Sequence, residues 1–205
     1  MLHKYRYYAT MNLSPQARPP ICLRYIMWCL ASSITDKYMH HQDIFYRRAR
    51  KYIELDEMKG AGEAYASLAH GQTWTLICTY EFKMMYFPRA WMSCGRAARL
   101  ALMMSLNRVD GIGMDAKQTL PPPRDWTEKE ERRRTFWMAY CVDRYASIGT
   151  GWPMSIDDRD VKSLSFRLDH LLIFIPDTDR SSCQRGSIRE RYRTEGASTQ
   201  RRNDP

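Results

Sequence analysis

The sequence predicts an all-α protein, a single-domain multi-helix array, and three features carry that expectation. Apolar residues recur three or four apart through five stretches between residues 21 and 150, the period of a helix with one face on a core. Breakers stand between several of them: Gly60 to Gly62, then Gly111, Gly113 and Pro121-Pro122-Pro123, then Gly149, Gly151 and Pro153. From Glu128 to Asp160, finally, a charged opening runs straight into seven apolar residues, Phe136 to Val142. A chain of 205 residues is long enough for one core, which at this size buries roughly 70% of the unfolded surface.

Residues 1–20 hold Tyr5, Tyr7, Tyr8 and a proline-rich segment from Ser14 to Pro20, whose fixed φ and missing amides oppose regular structure; they are expected to be a lead-in. A first helix should follow, with Cys22, Ile26, Cys29, Leu30, Ser33 and Ile34 on one face and prolines at its entry. The second spans about Asp36 to Met58, with Tyr38, Ile44, Phe45, Ala49, Tyr52, Ile53 and Leu55 inward and Arg47, Arg48, Arg50 and Lys51 in solvent. The third runs from about Glu63 to Tyr80 and carries Leu68, Ala69, His70, Trp74, Leu76 and Ile77. The fourth, about Met84 to Leu106, offers Gly95 and Ala98 where a neighbour can approach closely. Residues 107–126 form a breaker-rich loop of the length at which loops are often functional.

The fifth helix is expected to be the central one. Thr127 and Glu130 stand in capping-box spacing, and Gly149, Gly151 and Pro153 stop the helix about six turns later. Apolar almost all round in its middle, it should be buried on most sides.

This stretch resembles the fungal-specific transcription factor domain, the regulatory region found downstream of Zn2Cys6 zinc clusters in fungal activators, the xylanolytic-activator group among them. The signature is Arg134, Phe136, Trp137, Tyr140, Asp143, Arg144 and Ser147, a turn at Gly151-Trp152-Pro153, and a strand-like tail at Ile156-Asp157. The family most often has Gly-Arg-Pro at that turn. A second signature, Arg96, Ala98, Arg99, Leu106 and Arg108, resembles the family's Ala-rich helix ending in Gly-Leu-His-Arg, with Ser105 and Asn107 in place of Gly and His. Residues 21–161 carry the resemblance. Residues 162–205 depart from it, with Leu164-Ser165 where the family has Leu-Pro, and from Ser181 their Ser, Arg, Gly and Thr content predicts an irregular, disordered tail. The family continues through further helices, so the resemblance implies that the sequence is a piece or an altered form of a longer protein.

The net charge of +9 would favour nucleic acid, but the positive residues are scattered where a DNA-binding face needs a clustered stripe. Six cysteines, at 22, 29, 78, 94, 141 and 183, match the number a Zn2Cys6 cluster uses without matching its spacing. Cys22 and Cys29 lie two turns apart on an apolar helix, whereas tetrahedral zinc needs ligands converging from tight loops. They are expected to be reduced thiols in the core of an intracellular protein, and no metal site or cofactor is expected in this chain; zinc belongs only to a full-length family member. No apolar stretch approaches the length of a membrane helix.

No catalytic residue is predicted. His40, His41, His70 and His170 lack the helical His pair of zinc proteases, and no nucleophile elbow occurs. Asp157, Asp158 and Asp160 lack the Gly and Glu of a calcium loop. Met84, Met85, Met103 and Met104 could form an adaptable groove or simply core. Asp143 and Arg144 matter more, because a charge on a buried helix must be paired. They are expected to pair with charges on neighbouring helices; the alternative is an effector pocket walled by Trp137, Tyr140 and Trp152.

The resemblance implies a non-enzymatic regulatory domain, in the nucleus, that controls transcription through other segments or subunits of transcription factors or through a small-molecule effector. DNA would be met only through a zinc cluster whose cysteine spacing none of these residues has. A stand-alone interaction or dimerisation module, or a helical small-molecule sensor, is the alternative. A switchable contact is expected near the 107–126 loop and the 149–153 turn.

Overall fold

Six helices carry the chain in the computed structural model, which describes residues 1–110 and 120–161: α1 (Lys4–Met11), α2 (Ile21–Ser32), α3 (Gln42–Glu57), α4 (Leu68–Lys83), α5 (Phe87–Met103) and α6 (Trp126–Thr150). Short 3-10 turns join them, and among the described residues there is no strand. All six lie in one compact unit, Met1–Phe166; a second, Arg167–Pro205, falls outside the described residues, as do the expected tail and the centre of the 107–126 loop.

The centre of the array is α4 rather than α6. It packs against α2, α3, α5 and α6 and is buried on every side, from His70 to Thr75 and again at Ile77, Cys78, Tyr80 and Glu81. Small polar residues help to make that possible. The hydroxyls of Thr73, Thr75 and Thr79 donate to the carbonyls of Ala69, Gly71 and Thr75 at 2.7, 2.9 and 2.8 Å, so each satisfies itself within the helix. Met104 packs so closely on Gly71 that an added Cβ would meet its Cε at 3.0 Å. On the other side α5 offers Ala90, Ser93, Cys94, Gly95, Ala97 and Ala98, the small residues expected at a close crossing.

In contrast, α6 buries one stripe: Arg132, Thr135, Phe136, Ala139, Val142, Asp143, Ala146 and Ser147. Its seven-residue apolar run is therefore not enclosed. Met138, Cys141, Tyr145 and Ile148, spaced three or four apart on the opposite side, are exposed, Ile148 to 81%. The helix begins earlier than the Thr127–Glu130 box suggests: Asp125 is the N-cap and accepts from the Glu128 amide at 2.8 Å. Glu130 instead holds Arg133 and Arg134.

The expected lead-in contains α1, whose N-cap His3 donates its amide to Glu131 at 2.7 Å while Arg6 pairs with Asp125 and Glu131. In α3 the buried face is Tyr46, Ala49 and Ile53, while Ile44 and Leu55 are exposed and Tyr38 lies in a preceding 3-10 turn. Arg50, assigned to solvent by its charge, turns inward onto Glu81. Cys22, Cys29, Cys78 and Cys94 are buried free thiols, but Cys141 is exposed and Cys183 lies outside the described residues. The four methionines form no common groove, since Met104 is core while Met85 and Met103 are exposed.

Candidate functional site

At the end of α6, Gly151 takes φ 74°, a left-handed cap whose amide donates to the Ser147 carbonyl at 2.9 Å. Pro153 prevents the helix from resuming, and residues 152–161 return along it. The return is held by the buried carboxylate of Asp143, only 1% exposed. It accepts from the amides of Ser155, at 3.0 and 3.1 Å, and Ile156, at 3.1 Å, while Cys94 approaches it at 3.9 Å. Backbone donors on its own return segment thus satisfy Asp143, where charges on neighbouring helices were expected. Ile156, locked in place this way, is 2% exposed and part of the core.

The adjacent Arg144 works in parallel. It donates to the Ile156 carbonyl at 2.8 Å and to the Asp158 carboxylate, and its guanidinium lies 4.4 Å from the centre of the Tyr140 ring. The Tyr140 hydroxyl donates to the same Asp158 oxygen at 2.6 Å. These two hydrogen bonds, first from Tyr140 and then from Arg144, hold the Asp158 carboxyl below its ordinary range. Asp157 caps the 3-10 turn Asp158–Asp160 and binds Arg159. Rather than a strand, Ile156-Asp157 is the lead into that turn. The carboxylates of Asp157 and Asp158 are thus engaged with Arg, Tyr and backbone, which makes the arrangement a clasp.

Of the first signature, Tyr140, Asp143, Arg144, Ser147, Gly151, Ile156 and Asp157 meet in this clasp. Phe136 lies fully buried beside Trp137, whose ring is 5.5 Å away. Arg134 sits two residues before Phe136, on Glu130 at 2.8 Å. The proposed aromatic walls separate: Trp137 contacts Tyr140 at 5.3 Å, but Trp152 lies on Trp91 of α5 at 5.2 Å. A groove of about 570 Å³ does exist, lined by Tyr46, Arg50, Lys51 and Arg89 among others, and no signature residue lines it. In the second signature Ala98 and Leu106 are core, Arg96 stacks over Trp74 at 4.7 Å, and Arg99 and Arg108 are exposed. Asn107 joins the two signatures by donating to the Asp160 carbonyl at 2.8 Å.

Two polar clusters escaped sequence reasoning. Fully buried Glu81 accepts from Tyr46 at 2.6 Å and Arg50 at 3.3 Å, and burial, then Glu81, push the Tyr46 hydroxyl up to about 12. The available hint was a lone acid ending a long uncharged run from Ala64 to Tyr80. The second brings Cys22 of α2, Asp56 of α3 and His70 of α4 together. Residues so far apart in sequence give no local signal.

The cysteines do not fit the family's zinc cluster. Among the described residues Cys22 faces Asp56 and Thr73, while Cys78 and Cys94 meet each other in a separate part of the core, beside the Ala90 carbonyl and Asp143, so they do not gather at one point.

Comparison with known proteins bears on the same residues. The fungal specific transcription factor domain matches residues 1–195. The pigment biosynthesis transcriptional activator pigB of Monascus ruber is 37% identical over 163 residues, 78% of this chain and 29% of that protein. The citrinin biosynthesis transcriptional activator ctnR of Monascus purpureus is 35% identical over 77% of this chain and 27% of its own length. The tropolone cluster transcription factor tropK of Talaromyces stipitatus is 31% identical over 78% of this chain and 28% of its own. The chain spans less than a third of the length of these curated relatives. No solved structure matches it. A profile match over nearly the whole sequence, on an all-helical array whose signature residues close one clasp, shows that this chain belongs to the fungal specific transcription factor domain family.

Proposed function

We propose that this chain is the regulatory region of a fungal zinc-cluster transcription factor, non-enzymatic and nuclear, and that it controls RNA polymerase II transcription through contacts with other protein segments. Membership of the family and the names of its relatives, activators of pigment and citrinin biosynthesis and a tropolone cluster factor, support a biosynthetic gene cluster as its setting. DNA is reached through a zinc cluster, which these residues do not supply. The observation that carries the contact reading is the exposed stripe of Met138, Cys141, Tyr145 and Ile148 on the helix that bears the signature. Apolar residues at helical spacing facing water mark an interaction surface. The clasp sets where that stripe ends, because it fixes the turn immediately after it.

The test is to fuse the chain to an unrelated DNA-binding module in a fungal reporter strain. The chain should change reporter output relative to the module alone, and Ile148→Asp should abolish the change while altering stability by no more than about 0.5 kcal/mol, as for other exposed sites. Output equal to that of the bare module overturns the reading.

A further inference from the structure

Among the described residues, one group of His, Cys and carboxylate ligand atoms converges: Cys22 Sγ, an Asp56 carboxylate oxygen and a His70 ring nitrogen, all within 4.8 Å of one another. They come from three helices, at the first turn of α2, the last of α3 and the first of α4. Two of the separations approach those of a coordination polyhedron. Cys22 Sγ lies 3.9 Å from Asp56 Oδ2, and His70 Nε2 lies 3.3 Å from the same oxygen. Tetrahedral zinc, with bonds of about 2.3 Å to sulfur and about 2.0–2.2 Å to nitrogen and oxygen, sets its ligands roughly 3.3–3.6 Å apart. Closing Cys22 and Asp56 onto an ion therefore needs a movement of a few tenths of an ångström, and the third edge, from Cys22 to His70, lies within 4.8 Å and closes by about 1 Å at most.

The surroundings are arranged as a supported metal site is. His70 Nδ1 lies 2.7 Å from Ser67 Oγ, the outer hydrogen bond that fixes the ring of a ligating histidine and leaves the other nitrogen for the metal. Asp56 divides its oxygens: Oδ1 accepts from Lys59 at 2.5 Å, while Oδ2 faces Cys22 and His70. Cys22 is fully buried and the His70 side chain is 8% exposed, but the Asp56 side chain is 19% exposed, so an ion can enter along its edge.

From this convergence we propose that Cys22, Asp56 and His70 form a zinc site that ties α2, α3 and α4 together, with water as the fourth ligand. It is a different site from the zinc cluster of the family, and it stands independently of the regulatory reading. On binding, the Cys22 thiol gives its proton to solvent and the thiolate sulfur bonds to Zn2+. The imidazole stays neutral and carries its proton on Nδ1, donating to Ser67 Oγ. Burial, opposed by the Thr73 hydrogen bond and reinforced by Asp56, pushes the free Cys22 thiol up to about 11, so the metal must displace a firmly held proton. The site is thus expected to bind more weakly than one built from activated thiolates.

The experiment is a titration of the full chain, stripped of metal by chelator, with Co2+ as a spectroscopic substitute and then with Zn2+. Expected are one Co2+ per chain with tetrahedral visible bands and a thiolate-to-cobalt charge-transfer band, displacement by Zn2+, and a rise in Tm. Cys22→Ser should remove the charge-transfer band, His70→Gln should weaken affinity more than about 100-fold, beyond the loss of a mere supporting partner, and Cys141→Ser should leave both unchanged. No charge-transfer band in the wild-type chain overturns the proposal, and so does a band that survives Cys22→Ser. Should Cys22→Ser fail to fold, the other two variants decide in its place: loss of the band in Cys141→Ser, or unchanged Co2+ affinity in His70→Gln, overturns the proposal.

Discussion

Ser105 sits at φ 55° and ψ 30°, in the left-handed region, where the chain leaves α5 for the 3-10 turn Leu106–Arg108. A side chain there is strained by contact of Cβ with the backbone, and the cost for a residue other than glycine is about 1–3 kcal/mol. The position is the one at which the resembling family signature carries glycine, and the geometry supplies the reason. Ser105→Gly should therefore stabilise the protein by about 1 kcal/mol, after the greater freedom of glycine in the unfolded chain is subtracted. Urea denaturation would show this as a higher midpoint with an unchanged slope; a lower midpoint would mean that the serine carries a contact worth more than its strain.

At the scale of the element, the start of the return along α6, at Ser155 and Ile156, is held through its amides by one carboxylate. Asp143→Ala removes the acceptor for the Ser155 and Ile156 amides, and an orphaned buried donor costs about 1–3 kcal/mol. The substitution should cost about 3 kcal/mol in equilibrium unfolding and raise amide exchange at Ile156 ahead of the rest of the core; a loss below about 1 kcal/mol would show that Arg144, Tyr140 and Asn107 hold the segment without it. The pairing of Asp143 was legible only by half. A charge after seven apolar residues announced that a partner must exist, but backbone amides leave no mark in a sequence, so the partner was sought among side chains. The stop at Gly151 was legible because glycine in that role is a local matter, as was the small-residue face of α5. The N-cap was misplaced because Asp125 and Thr127 both offer a capping oxygen, and Arg6, far away in sequence, favours Asp125.

Across the molecule, the centre was misjudged because hydrophobicity was taken for burial. The most enclosed helix, α4, has threonines, Gly71 and Gln72 on its inner surfaces, whereas the seven-residue apolar run of α6 faces water on one side. Acid stability is a property at this scale too. Burial raises the Glu128 and Glu130 carboxyls, but hydrogen bonds outweigh it, from Arg124 and Arg132 on Glu128 and from Arg134 and Arg133 on Glu130, and hold both below their ordinary range. A carboxyl depressed in the folded state contributes stability that is full above the unfolded value, about 4.3 for Glu, and is lost as pH falls through the folded value. Melting curves should therefore fall off below about pH 4.3, and Glu130→Gln should lower Tm at neutral pH while converging on the parent curve in acid. A constant gap at every pH would assign the loss to packing.

The order of packing has a consequence for how the chain reaches this state. Neighbours in sequence pair most heavily, α2 with α3, α4 with α5 and α5 with α6, so most native contacts close short loops at small entropic cost, the condition for fast folding. The link of His3 and Arg6 to Asp125 and Glu131 joins residues more than a hundred positions apart. On a chain emerging from the ribosome, α1 is made well before α6 and must wait for the start of that helix before it finds its place.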